Sequence, residues 1–178
     1  MRSLMKSIFL VAALSLVSCN SETKKDSKTE TTEAKSDQVE LTVEFKSPLN
    51  DRFKVFYTVA PNVEITGEHM MTHFTYGSDE MQKIVFKFPA GVLPYKLRLD
   101  VGENQSATNL TIKNVSLDYK DIHIDGDNGE FMNLWSPNGS IKFDEQNFVF
   151  NLIPINGKKE PVFIANIELE KKLRKFRN

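Results

Sequence analysis

From Val39 onward the chain alternates apolar and polar residues with a period of two, and clusters of turn-forming residues interrupt the alternation at short intervals. Val39, Leu41, Val43 and Phe45 alternate with Glu40, Thr42, Glu44 and Lys46. Successive side chains of a strand point to opposite faces, so this pattern makes a strand with one buried and one wet face. Ser47-Pro48-Leu49-Asn50-Asp51 follows as a turn cluster, after which Phe53, Val55, Tyr57 and Val59 resume the alternation. Two such runs around a turn predict an antiparallel hairpin.

The pattern continues to the end of the chain. Ile84, Phe86 and Phe88 are closed by Pro89-Ala90-Gly91, and Tyr95, Leu97, Leu99 and Val101 by Gly102-Glu103-Asn104. Further runs are Leu110, Ile112, Val115 and Leu117; Ile141 and Phe143; Phe148, Phe150 and Leu152; and, after a turn at Asn156-Gly157, Phe163, Ala165, Ile167 and Leu169. About eight to ten strands at this spacing, without a convincing internal helix, predict one all-β, antiparallel sandwich or barrel over residues 39–178. The last strand is expected to run to about Leu169, with a frayed or helical end beyond it. The basic cluster Lys171, Lys172, Arg174, Lys175 and Arg177 reads as a solvated end.

Before Val39 the chain is of another kind. Arg2 and Lys6 precede the apolar run Ile8 to Val17. Ten residues of helix span roughly 15 Å, about half of a bilayer core, which suits a secretory signal better than a permanent span. The run Leu16-Val17-Ser18-Cys19 resembles the lipobox of bacterial lipoproteins at all four positions. The resemblance implies a signal peptide over residues 1–18, cleavage before Cys19, and lipid attached to the Cys19 sulfur as a membrane anchor. Cys19 is the one cysteine, so the folded domain has no disulfide available to it. Residues 19–38 then carry Ser, Thr, Lys, Glu and Asp with Ala34 as the single apolar side chain after Cys19, a composition that buries no core and reads as a polar tether. Acidic residues after the cysteine resemble the signal that steers some Bacteroidetes lipoproteins to the cell exterior. The expected address is therefore the cell envelope, on the outer or inner membrane, facing the periplasm or the exterior.

The segment Lys83 to Leu117 resembles jelly-roll modules of the carbohydrate-binding type. Ile-Val-Phe-Lys-Phe-Pro-Ala-Gly is followed by Leu97-Arg98-Leu99-Asp100-Val101-Gly102 and then by Leu-Thr-Ile-Lys-Asn-Val-Ser-Leu from Leu110 to Leu117. The resemblance implies a jelly-roll sandwich and a glycan ligand. A fold hosts many functions, so the residues must carry the argument. Arg98 and Asp100 share one face of their strand and read as ion-pairing with neighbouring strands or, alternatively, as a ligand contact.

Other candidates are local. Trp135, with Tyr119 and Phe131 near in sequence, offers an aromatic platform on which sugar C–H faces could stack, and Asn133 and Asn138 offer amides for hydroxyls. Asp121, Asp125, Asp127 and Glu130 form the densest run of oxygen donors. Calcium takes six to eight such oxygens, yet Asp, Asn and Gly also make plain turns, and both readings stand. His69 and His73 would share a metal on a helix, but Met70 to Tyr76 reads as a strand, where they would lie about 13 Å apart.

With a formal charge of −1 and no basic patch on the domain, a nucleic-acid partner is not expected. Nucleophile elbow, phosphate loop and zinc signatures are absent, so binding is expected rather than catalysis. A glycan is the leading ligand. The rivals are a structural or assembly role against other envelope proteins and, third, a glycan hydrolase, whose paired carboxylates only the fold can bring together.

Overall fold

A computed structural model describes residues 37–177. The expected signal, Cys19 and the tether as far as residue 36 lie outside the described residues. Among the described residues, eleven strands form two antiparallel sheets packed as a sandwich. They are β1 (Glu40–Ser47), β2 (Asp51–Tyr57), β3 (Met70–Thr75), β4 (Ser78–Lys87), β5 (Leu97–Asp100), β6 (Asn109–Tyr119), β7 (Ile122–Ile124), β8 (Trp135–Pro137), β9 (Ile141–Asp144), β10 (Val149–Leu152) and β11 (Val162–Ala165). The first sheet runs β4-β1-β6-β10-β9, with β7 also on β6; the second runs β3-β2-β5-β11-β8. No helix of the described residues is long and apolar enough to cross a membrane.

The alternation marks the inward faces. Leu41, Val43 and Phe45 of β1 and Phe53 and Val55 of β2 belong to one hydrophobic core, and all five are fully buried. The Phe45 and Phe53 rings lie 4.6 Å apart between centroids. That contact explains the first departure from expectation. β1 and β2 are not a hairpin: β1 pairs with β4 and β6, and β2 with β3 and β5. The turn between them carries the chain from one sheet to the other, because both apolar faces bury better against each other than side by side in one sheet.

β6 shows where the alternation changes phase. Phe45 faces Ile112 while Glu44 faces Asn114, so Lys113 is an extra, bulged residue. The sequence carries the same break, from Leu110 and Ile112 to Val115 and Leu117. On its other edge β6 pairs with β10 only at Asn109 and Leu110, and with β7 only from Leu117 to Tyr119. A 3₁₀ segment, Asp127–Asn133, packs over the interval, and Asn114 fastens it by accepting from the Gly126 N–H and donating to Asp125. Its Phe131 packs edge-on to Phe150 and Phe163 at 5.7 and 6.0 Å.

Three further corrections follow from local chemistry. Phe148 was expected in the strand with Phe150, but β10 begins at Val149 and Phe148 sits in the left-handed region at φ +52°. The last strand stops at Ala165 rather than near Leu169. Asn166 caps a helix, α1 (Ile167–Leu173), by accepting from the N–H groups of Glu168 and Leu169. Leu169, Leu173 and Phe176 are buried, which a helical spacing of three and four achieves and a strand would not. Nor is the basic tail wholly solvated. Arg177 donates to the carbonyls of Leu173, Leu93 and Pro94, and its guanidinium lies 3.5 Å from the Tyr95 ring centroid.

Candidate functional site

Because Phe53, Val55 and Tyr57 face the core, Arg52, Lys54 and Phe56 face outward from the second sheet. The register sets their neighbours. Phe56 lies opposite Met70 on β3 and Arg98 on β5; Lys54 lies opposite Thr72 and Asp100; Arg52 lies opposite Phe74. The outer face thus brings together residues separated by some fifty positions in the chain. In its middle is a polar cavity of about 310 Å³, framed by β2, β5 and the segment 158–161.

Arg98 and Asp100 pair with each other rather than with neighbouring strands. Nε and Nη2 of Arg98 donate to the two carboxylate oxygens of Asp100, each at 2.7 Å. Such a two-bond fork fixes both planes. The guanidinium carbon also stands 4.8 Å from the Phe56 ring centroid, so the ring supports the fork from beside it. Burial raises the Asp100 carboxyl above its ordinary value, and the hydrogen bonds and charge of Arg98 only partly offset this. Glu103 bonds to Lys54 and lies 3.6 Å from Arg52. Across the cavity Lys158 bonds to Glu160 and holds that carboxyl below its ordinary value. Cations and carboxylates therefore alternate over this surface.

At the β3 edge of the same sheet stands a pair of aromatic rings. Phe74 is 49% exposed and Tyr76 70% exposed. They meet edge to face at 5.2 Å. Sequence reasoning passed over them, although Met70 to Tyr76 carries apolar residues on both strand faces, a pattern that an edge strand with an uncovered outer face produces.

The residues chosen from sequence fall elsewhere. Trp135 is 1% exposed and cannot be a platform. It lies in β8 at the margin of the second sheet, its ring turned into the core. Phe131 is buried as well. Tyr119 is half-buried against Phe176, with ring centroids 5.4 Å apart. Asn138 holds the β8–β9 turn, donating to the Glu160 carbonyl and accepting from Ser140 and Val162 N–H. Asn133 donates to Glu130. These residues do not converge on one surface site.

The acidic run builds a turn. Asp125 accepts from Asn114 and from the Asp127 N–H, and these bonds hold its carboxyl below the ordinary value. Asp127 accepts from the Asn128 N–H. Asp121 occupies the tight β6–β7 turn. Among the described residues, no three His, Cys, Asp or Glu side chains gather closely enough to hold a metal ion. His69 stacks on Tyr57 and His73 lies edge-on to Phe86, so each imidazole has an aromatic neighbour of its own.

No family model matches the chain, and neither the curated proteins nor the solved structures give a match.

Proposed function

We propose that this chain is an extracytoplasmic, lipid-anchored envelope protein whose sandwich binds a glycan without transforming it. The observation that carries the reading is the Arg98–Asp100 fork on the outer face of the second sheet. Vicinal sugar hydroxyls each donate and accept, and they need donors and acceptors held in a fixed arrangement. Arg98 retains Nη1 beyond its bonds to Asp100, and the carboxylate retains acceptor capacity. The exposed Phe74–Tyr76 pair supplies an apolar surface for sugar C–H faces. A cavity of about 310 Å³ lies at the small end of ligand sites.

A glycan-array screen of the purified protein tests this, repeated with Arg98→Met and Phe74→Ala. Binding to a defined polysaccharide class that both substitutions weaken at least tenfold supports the reading. Absence of binding across neutral and acidic glycans sinks it and favours contact with another envelope protein. Equal binding by both variants would mean that the glycan lies elsewhere.

A further inference from the structure

The interval on the open edge of β6, between β10 and β7, leads into a second and different cavity. It encloses about 540 Å³ and opens beside Thr111 and Lys113. Its floor is the core itself, since Ile112, Phe131 and Phe150 line it and are all buried. Phe143 and Phe148 wall it, with rings 6.3 Å apart at 71°. Met81 and Met132 stand at the margin, 47% and 39% exposed.

Phe148 carries the argument furthest. It is 72% exposed and holds φ +52°. It ends the β9–β10 loop, where Asp144 already organises the turn by accepting from Gln146 and Asn147 N–H. A left-handed position there suits Gly or Asn, and a bulky aromatic is strained in it. The chain therefore tolerates both backbone strain and an apolar ring in water at the mouth of an apolar cavity. Strain of this kind collects at ligand clamps.

Charge narrows the occupant. The ionic groups lining the cavity are Lys113 and Asp127. Lys113 already bonds to Glu44 at 3.0 Å. Glu44 thus neutralises Lys113, and Asp127 is the other ionic group on the lining.

We propose that this cavity binds a small aromatic amine, with its ring among Phe143, Phe148 and Phe150 and its ammonium toward Asp127. Rings favour edge-to-face and offset contacts with other rings, and thioethers favour ring edges, so this lining prefers an aromatic body to an acyl chain. The site is separate from the sheet face argued above and stands or falls independently of it.

Titration calorimetry tests it with 2-(1-naphthyl)ethylamine, 1-naphthylacetate and dodecylamine against the full chain. The amine with the naphthyl ring should bind one to one, at least fivefold tighter than either comparator. In Phe148→Gly the backbone strain is relieved, so the melting temperature should hold or rise while affinity falls at least tenfold. Phe148→Leu keeps apolar bulk and should weaken binding several-fold, giving a second measure if the Gly variant folds poorly. An absence of saturable binding to the wild type overturns the proposal. So does equal binding of the carboxylate, which removes the charge argument, or equal binding of dodecylamine, which removes the ring. Unchanged affinity in both Phe148 variants overturns the placement.

Discussion

The corner that passes β1 into β2 is tied down by one carboxylate, and its removal should be felt across the sandwich. Oδ1 of Asp51 accepts from three backbone N–H groups: Arg52 at 2.8 Å, Glu103 at 2.6 Å and Asn104 at 3.0 Å. Asp51 is 6% exposed, so these bonds are shielded on the acceptor side. Glu103 and Asn104 belong to the turn after β5, so the carboxylate ties together segments about fifty residues apart. Asp51→Ala leaves those N–H groups to whatever water can reach. At about 1–2 kcal/mol for each of the two long-range bonds, the loss is about 2–4 kcal/mol. For a domain of this size that corresponds to a fall in Tm of about 4–15 °C. Asp51→Asn keeps an oxygen in the Oδ1 position and should cost less than half as much. Gly102 supplies a second perturbation. It holds φ +148°, and a Cβ there would lie 2.4 Å from Asp51 Oδ2. Gly102→Ala therefore adds a clash to a backbone strain of about 1–3 kcal/mol. In the Asp51→Ala background the clash is gone and only the strain remains. A double-mutant cycle by urea denaturation should thus show the Gly102→Ala increment shrinking by about 1 kcal/mol or more when residue 51 is Ala. Equal increments in both backgrounds would refute the reasoning, as would an Asp51→Ala protein within about 0.5 kcal/mol of wild type.

Three more outcomes are expected. Trp135 is the one tryptophan, and its Nε1–H is buried with no hydrogen-bond partner; its fluorescence should be blue-shifted in the native protein, and Trp135→Phe, which removes the orphan donor at the cost of a small void, should change stability by no more than about 1 kcal/mol in urea melts. Arg177→Ala removes the clasp on the Leu93 and Pro94 carbonyls and should cost about 1–3 kcal/mol by thermal denaturation, with Arg177→Lys recovering only part because an ammonium cannot fork two carbonyls and lie flat on Tyr95. Asp100 should titrate above the ordinary aspartate midpoint in carboxyl-detected NMR, and higher still in Arg98→Met. A carboxyl raised by folding adds stability below its unfolded-chain midpoint, and that increment is lost as pH rises through the folded midpoint. An Asp100 midpoint at or below the ordinary value would contradict the burial assigned to it.

How far the sequence led depended on the range of each signal. Period-two alternation is set by neighbours two residues apart, and it located the inward faces of β1, β2, β4, β5 and β6, while the bulge at Lys113 emerged only from the strand register. It carries nothing about which strand lies alongside, and so the β1–β2 turn read as a hairpin when it is a passage between sheets. β7 and β8, at three residues each, are too short to show a period. The end of β11 was misplaced because Ala165, Ile167 and Leu169 satisfy the strand pattern while Leu169, Leu173 and Phe176 satisfy the helical one. Asn166 decides between them, and a cap is a single residue whose effect depends on the two N–H groups that follow it.

The candidate sites show the same limit more sharply. Trp135 drew notice because it is a lone tryptophan among thirteen phenylalanines, but rarity of a residue type says nothing about which face it occupies. Arg98 and Asp100 were found from sequence because their chemistry is local: two residues apart on one strand, they meet on one face wherever that strand goes. Phe74 and Tyr76 were missed because their meaning lies in β3 being an edge, which only the pairing order establishes. Phe148 was missed for the opposite reason. It fits the apolar spacing of Phe150 and Leu152, and only its left-handed backbone separates it from a core residue. Phe74 is left in water because its strand is a sheet edge, and Phe148 because its backbone is left-handed; an apolar period reports neither.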